Sequence, residues 1–396
     1  MASKMLRRFS SSVANFNQGR TVFTRENELA ALNGRLVAAV DDSVSGGNLV
    51  VVSGPKDSGK SALLREFRRR QGEGEYPGVS SFADMRGSIS PRGVAGMFKS
   101  SFLPSIRASQ VESWSVLKDQ MDKADDMDTV LAAIMSYGVS CNSLVLKGGG
   151  DYAKVYPTIV LDEANLLCTW TTDPATEKEL DQLLAFFVMV TKQEHIMNVV
   201  LASSENFFGT WLAGYIGSLR ADTLHVGDLR EAEARQFFET LLPTGSDGVS
   251  DELWKDIYSH MGGRMGLLAR AARSIESWDA VKASLLSSCC LQVRVACFPE
   301  ALPANKPSKP CWTKDDWKAV VSTLVKHKDG ITPYMALCNK LSVGKVNSLI
   351  EYDLLQYRTL AAWGNDIEGI PEKDWPLVMP STSLHFRAMQ RLAKTL

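Results

Sequence analysis

The sequence predicts an α/β fold: a parallel sheet with helices on both faces, followed by a helical lid and a winged-helix-like C-terminal domain. Three observations lead there. Short, wholly apolar runs at 49–52, 159–161 and 199–202 alternate with longer stretches of helical periodicity, the pattern of strands buried on both faces and joined by helical crossovers. From residue 228 the strand-like runs cease and four helical stretches follow one another. Beyond residue 313, three helical stretches precede a strand-like segment, Gly- and Pro-bearing turns and a last helix.

The chain opens on 1–20, with Lys4, Arg7, Arg8 and Arg20, three consecutive serines and no acidic residue before Glu26. Met5, Phe9, Val13 and Phe16 share one helical face there, so the segment reads either as a mitochondrial transit peptide or as a basic tail of a cytoplasmic protein. A helix is expected within 21–40, capped by Thr24 and packing Leu29, Leu32, Leu36 and Val37. Residues 43–48 form a turn, and 49–53 the first strand.

Directly after that strand stands Gly54-Pro55-Lys56-Asp57-Ser58-Gly59-Lys60-Ser61-Ala62, followed by a helical pattern to about residue 70. The spacing G-x-x-x-x-G-K-S between a strand and a helix is that of a nucleotide phosphate cradle. Gly54 and Gly59 let the backbone approach phosphate oxygens, Lys60 supplies a cation for the β- and γ-phosphates, and Ser61 a hydroxyl for Mg²⁺. The helix that follows aims its positive end at the same place. ATP and Mg²⁺ are therefore the expected ligands, with residues 54–62 as the nucleotide contacts.

A second strand is expected at 78–85, closing on Asp84-Met85-Arg86. Helices follow at 90–102 and 111–137, and a Gly-rich surface loop at 147–153. The run Thr158-Ile159-Val160-Leu161-Asp162-Glu163 puts two carboxylates at the carboxyl end of a buried strand, where open α/β sheets bind ligands. Asp162 suits a metal ligand acting through water, and Glu163 suits the group that orients and deprotonates an attacking water. A helix from Asp173-Pro174 to about residue 192 leads to the next strand, 198–202, which ends in Ser203-Ser204-Glu205-Asn206. Ser204 there could contact the γ-phosphate or the attacking water, or these residues could cap the next helix at 207–219. Arg220 follows, then a fifth strand at 223–226.

The lid stretches lie at 231–242, 251–260, 265–274 and 278–286, interrupted by Gly262-Gly263-Arg264-Met265, which can bring a backbone turn or Arg264 to a nucleotide. Four prolines mark 289–312 as a connector. The expected units are 1–20, a core at 21–227, a lid at 228–287, a linker at 288–312 and a tail at 313–396.

Phe23-x-Arg25-Glu26-x-Glu28-Leu29, the cradle, Asp84-x-Arg86, Asp162-Glu163, Ser203-Ser204, Arg220 and Gly262-Gly263 together resemble the archaeal-type ATPases. That family is one of the signal-transduction ATPases with numerous domains, within the AAA+ group of P-loop NTPases. The resemblance covers 21 to about 287, and the tail by architecture alone. It implies that the segment 23–29 lies near the adenine and that Arg220 acts as a finger on its own or a neighbouring subunit's nucleotide. The family's glycine pair is usually followed closely by proline, whereas Met265 stands there here.

Composition bounds the rest. A formal net charge of −1 gives no global field for nucleic acid or anionic membrane, and no apolar run approaches a membrane span. Seven cysteines without a C-x-x-C pair suggest neither a disulfide framework nor a zinc site. Three functions compete: an ATP-hydrolysing switch with a protein partner or self-association, a DNA-binding winged-helix ATPase, and an ATP-binding scaffold without turnover. The lysines of the tail favour DNA, but Asp315, Asp316 and Asp329 interleave with them.

Overall fold

The computed structural model of the chain describes residues 25–37, 47–76, 78–87, 96, 114–124, 126–142, 156–218, 220–243, 248–302, 308–361, 364 and 366–395. The expected N-terminal segment 1–20, the Thr24 cap, almost all of the 90–102 helix and the loop at 147–153 lie outside the described residues.

The first unit contains α1 (Glu26–Leu36), β1 (Leu49–Ser53), α2 (Lys60–Glu73), β2 (Ser80–Asp84), α3 (Trp114–Lys123), α4 (Met127–Asn142), β3 (Thr158–Asp162), α5 (Pro174–Val188), β4 (Asn198–Ser203), α6 (Phe208–Ile216) and β5 (Asp222–His225). Its five strands run parallel in the order β2-β3-β4-β1-β5. Successive side chains of a strand point to opposite faces, and both faces are covered. Val50 and Val52 join Leu29, Leu32, Leu63 and Phe67 of α1 and α2, while Leu49 and Val51 join Ile134, Leu183, Phe187 and Leu212 of α4, α5 and α6. Every strand carboxyl end therefore opens at one edge of the sheet, with β1 lying between β4 and β5.

Local chemistry sets the helix boundaries, and several differ from expectation. The predicted helix at 111–137 is two, because the Asp126 carboxylate accepts from the Thr129 backbone N–H at 2.8 Å and restarts the chain as α4. The helix expected to reach residue 192 changes to a π turn at Met189–Gln193. No side chain caps α6: the Ser203 hydroxyl accepts from the Glu205 N–H, and Asn206 Oδ1 accepts from the Tyr357 N–H.

The second unit contains α7 (Glu231–Thr240), α8 (Asp251–Met261), α9 (Met265–Arg273), α10 (Trp278–Val295), α11 (Lys314–Val325), β6 (Thr332–Pro333), α12 (Tyr334–Leu341), α13 (Val343–Glu351), β7 (Leu355–Arg358), β8 (Leu377–Pro380) and α14 (Ser383–Ala393). The order α11-β6-α12-α13-β7-β8, with an antiparallel sheet β6-β8-β7, is winged-helix-like. The linker expected at 288–312 is corrected. α10 continues to Val295 because Leu285, Leu286, Cys289, Val293 and Ala296 recur at helical spacing and are buried, cysteine serving as a small apolar side chain. Its extension ties lid to tail: Trp317 donates to the Val293 carbonyl at 2.8 Å and Trp312 to that of Ala296 at 2.9 Å. The two share a single apolar cluster from Leu229 to Met389. Among the described residues no helix is long and apolar enough to cross a membrane.

Candidate nucleotide site

The apolar β1 strand delivers the loop 54–59 to the crevice edge, and α2 begins at Lys60. Gly54 has φ +153°, and a Cβ there would lie 2.2 Å from the Val226 carbonyl oxygen, so the turn off the sheet requires glycine. Ser58 N–H closes the loop onto the Pro55 carbonyl at 3.3 Å. The first turn of α2 has no side-chain cap, which leaves its N–H groups directed into the loop. Ser61 is half-buried on that turn, and Ala62 beside it is exposed.

Lys60 is buried, and its Nζ donates to the carbonyls of Gly54 and Pro55, each at 2.8 Å. Burial pulls its ammonium down to about 8, opposed by the charges of Glu163 and Asp162. Those two carboxylates stand at the end of β3, at the same sheet edge as the loop, although they lie a hundred residues away in sequence. Asp162 ends β3, 1% exposed; its Oδ1 accepts from the Glu163 N–H at 3.1 Å, and its Oδ2 is buried without a hydrogen-bond partner among the described residues. Glu163 sits at φ +57°, a left-handed conformation that costs a non-glycine residue roughly 1–2 kcal/mol. Burial and the neighbouring Asp162 raise its carboxyl above the usual range, while Arg86 and Lys60 hold it down.

Ser204 lines a cavity of about 340 Å³ together with Gly54, Pro55, Tyr357 and His225. Arg220 is placed elsewhere. It precedes β5, whose Asp222 pairs with Val50 and whose His225 pairs with Ser53, so it stands at least ~10 Å along the strand from the loop. It borders a different groove, with Asp128, Asp181 and Tyr215. The reading of Arg220 as a finger on its own nucleotide is therefore corrected.

Arg25 and the lid brace the loop from outside the sheet. Arg25, 1% exposed, donates through Nη2 to the carbonyls of Ser58 at 2.5 Å and Gly227 at 2.6 Å, so it braces the loop against the start of the lid. Arg264, also buried, pairs with Asp228 at 2.5 Å and donates to the carbonyls of Lys56 and Ser381, each at 3.1 Å. Gly266 N–H donates to the Asp57 carbonyl at 3.1 Å, and the Met265 sulfur lies over Gly59, 3.4 Å from Arg25 Nε. The Gly262-Gly263 break signals the lid contacts in the sequence, and family resemblance alone draws Arg25 toward the site; its bracing role depends on partners 33 and 202 residues away, beyond any local pattern. The exposed Lys56 leaves the loop for Asp353 at 3.4 Å and Glu205 at 3.7 Å, so the C-terminal domain also touches the loop rim.

The fold has solved counterparts. A Walker-type ATPase of Pyrococcus abyssi superposes with a TM-score of 0.55 at 13% identity over 93% of this chain and 96% of that one. The ORC2 protein of Aeropyrum pernix, solved with ADPNP and ADP, gives a TM-score of 0.45 at 12% identity over 96% of each chain. No curated protein matches the sequence. Residues 23–271 match the family described as an ATPase domain predominantly from Archaea. That match takes in the loop, the Asp162-Glu163 strand and most of the lid, and the chain belongs to this P-loop ATPase family.

Proposed function

We propose that the protein binds ATP with Mg²⁺, hydrolyses it slowly, and uses the nucleotide as a conformational switch in the manner of the signal-transduction ATPases. The observation that carries this reading is the convergence of Lys60, Asp162 and Glu163 at the carboxyl-end edge of the parallel sheet, where β3 ends in Asp162 and α2 opens on Lys60. Lys60 would exchange its two loop carbonyls for phosphate oxygens. The donor set suits a divalent cation, since Asp162 Oδ2 is buried with no hydrogen-bond partner among the described residues and the Ser61 hydroxyl stands on the first turn of α2. Ser61 and Asp162 would hold Mg²⁺, Asp162 through water, and the cation would offset the charge of the phosphate oxygens. Glu163 orients the attacking water and accepts its proton. The oxygen of that water adds to the γ-phosphorus, the bond to the bridging oxygen breaks, and ADP and phosphate leave.

The switch reading rests on the loop rim, where the lid and the winged-helix-like domain both hold loop carbonyls or side chains through Arg264, Gly266 and Asp353. A protein partner or self-association would act on that arrangement, and a neighbouring subunit is the remaining place for Arg220 to act. DNA binding draws less support, because Lys345 pairs with Asp316 at 2.7 Å and Lys340 donates to Thr323. A mitochondrial location rests on residues 1–20 and is tested by fractionating cells expressing the chain with and without them.

Nucleotide binding and single-turnover hydrolysis, measured on one preparation with and without Mg²⁺, test the function. Lys60→Ala should abolish binding, and Glu163→Gln should bind ATP while hydrolysis falls by about 10²–10⁴-fold. Undiminished turnover in Glu163→Gln would remove its assigned role. Binding without turnover in the wild type would leave a nucleotide-gated scaffold.

A further inference from the structure

The pair Asp84 and Arg86 takes no part in the mechanism above, yet it stands at the same crevice. β2 is an edge strand whose last residue, Asp84, lies in register with Asp162. A 3₁₀ turn at Met85–Gly87 buries Met85 and folds Arg86 back over the strand end. Arg86 Nε donates to Asp84 Oδ1 at 2.8 Å, Nη2 donates to Oδ2 at 2.6 Å, and the Arg86 backbone N–H donates to Oδ1 at 3.1 Å. One edge of the guanidinium is thereby pinned.

The other edge is open. Nη1 has no partner among the described residues, the side chain is 55% exposed, and Nη2 lies 3.9 Å from the buried, unpartnered Asp162 Oδ2. Arg86 also acts electrostatically on Glu163, as does Lys60. An ordinary surface ion pair is worth ~0–1 kcal/mol and has no need to face the carboxylates of a phosphate site. A forked guanidinium with one edge fixed and one edge free is suited to receive phosphoryl oxygens without reordering its side chain. Arg220, at the far end of β5, is not so placed.

We infer that Arg86 is the arginine this chain supplies to its own nucleotide, its open edge contacting the γ-phosphoryl oxygens as the bridging bond breaks, with Asp84 as the residue that positions it. This rests on the ATPase reading. The guanidinium neither gains nor loses a proton; it stabilises charge that spreads over the γ-oxygens while water adds and ADP leaves.

The test uses the full chain, a fluorescent ADP analogue, and retention of ADP in the presence of Mg²⁺ and aluminium fluoride, which imitates the transferring phosphoryl group. Arg86→Ala should bind ADP within about twofold of the wild type, fail to retain it with aluminium fluoride, and lower single-turnover hydrolysis by about 10²–10³-fold. Arg86→Lys, which keeps the charge but not the fork, should recover part of the retention; it serves as the second variant should the alanine protein not fold. Asp84→Asn should lower hydrolysis about tenfold without changing ADP affinity, since only the pin is weakened. Retention by Arg86→Ala equal to the wild type would overturn the inference, and so would a wild type that binds ADP yet retains none. A wild type that binds no nucleotide would instead bring down the ATPase reading itself.

Discussion

The two units of this protein are held together in opposite ways. Within the second unit, lid and winged-helix-like domain share one apolar cluster, stitched by Trp312 and Trp317 onto α10. Between that unit and the sheet, at the phosphate loop, the contacts are largely polar: Arg264 to the Lys56 carbonyl, Gly266 to Asp57, Lys56 to Asp353, and Tyr357 to Asn206. Apolar burial is non-directional and is lost all at once, whereas hydrogen bonds and exposed ion pairs can be exchanged for phosphate or water at small net cost. The lid and tail should therefore move as one body, and the seam at the loop is where nucleotide can act.

The strongest way to break this contrast is to damage the shared cluster. Trp317 is fully buried, and Trp317→Ala should cost ~3–5 kcal/mol by denaturant titration. Hydrogen exchange should then show lid and tail losing protection together while the sheet keeps its own; loss in the tail alone would mean the two are separable. Arg264→Ala removes a buried cation from Asp228 together with its two carbonyl contacts, Lys56 across the seam and Ser381 within the second unit. We expect a loss of about 2 kcal/mol and faster ADP release by stopped flow.

The pH dependence sharpens the view from the loop side. Burial lowers Lys60 in the folded protein to about 8, below its ordinary value. The unfolded chain therefore binds more protons between about pH 8 and pH 10.5, so the nucleotide-free protein gains stability as pH rises through that window. Nucleotide binding requires the ammonium, so affinity should fall up to about tenfold between pH 8 and pH 9, with proton uptake in calorimetry. The smallest effect is expected at Lys56, whose partners are exposed. Lys56→Ala should change stability by less than ~1 kcal/mol, and any increase in ADP release should be largest at low salt.

Residues 49–61 were legible because strand, turn and helix there are encoded contiguously: apolar residues for a doubly buried strand, a glycine where Val226 presses on the backbone, and a lysine and serine opening α2. Asp162 and Glu163 were legible for the same reason, as polar residues ending an apolar run. The course of α10 was misread because the cysteines 289 and 290 and the prolines beyond them resemble a connector, while the burial that extends the helix comes from α11 and α14. Family resemblance alone points to Arg220, whereas the strand register places it at the far end of β5 from its own chain's loop.

The sequence by itself determined the α/β class, the phosphate loop and the carboxylate pair, since each depends on residue type at short, fixed spacing. Tertiary structure alone decided which cations share that crevice. Arg25, Arg264 and Arg86 reach the loop or its carboxylates from three other elements, and strand register and lid docking select them from the chain's many arginines. Such choices lie outside local pattern because they depend on contacts between residues up to some two hundred positions apart.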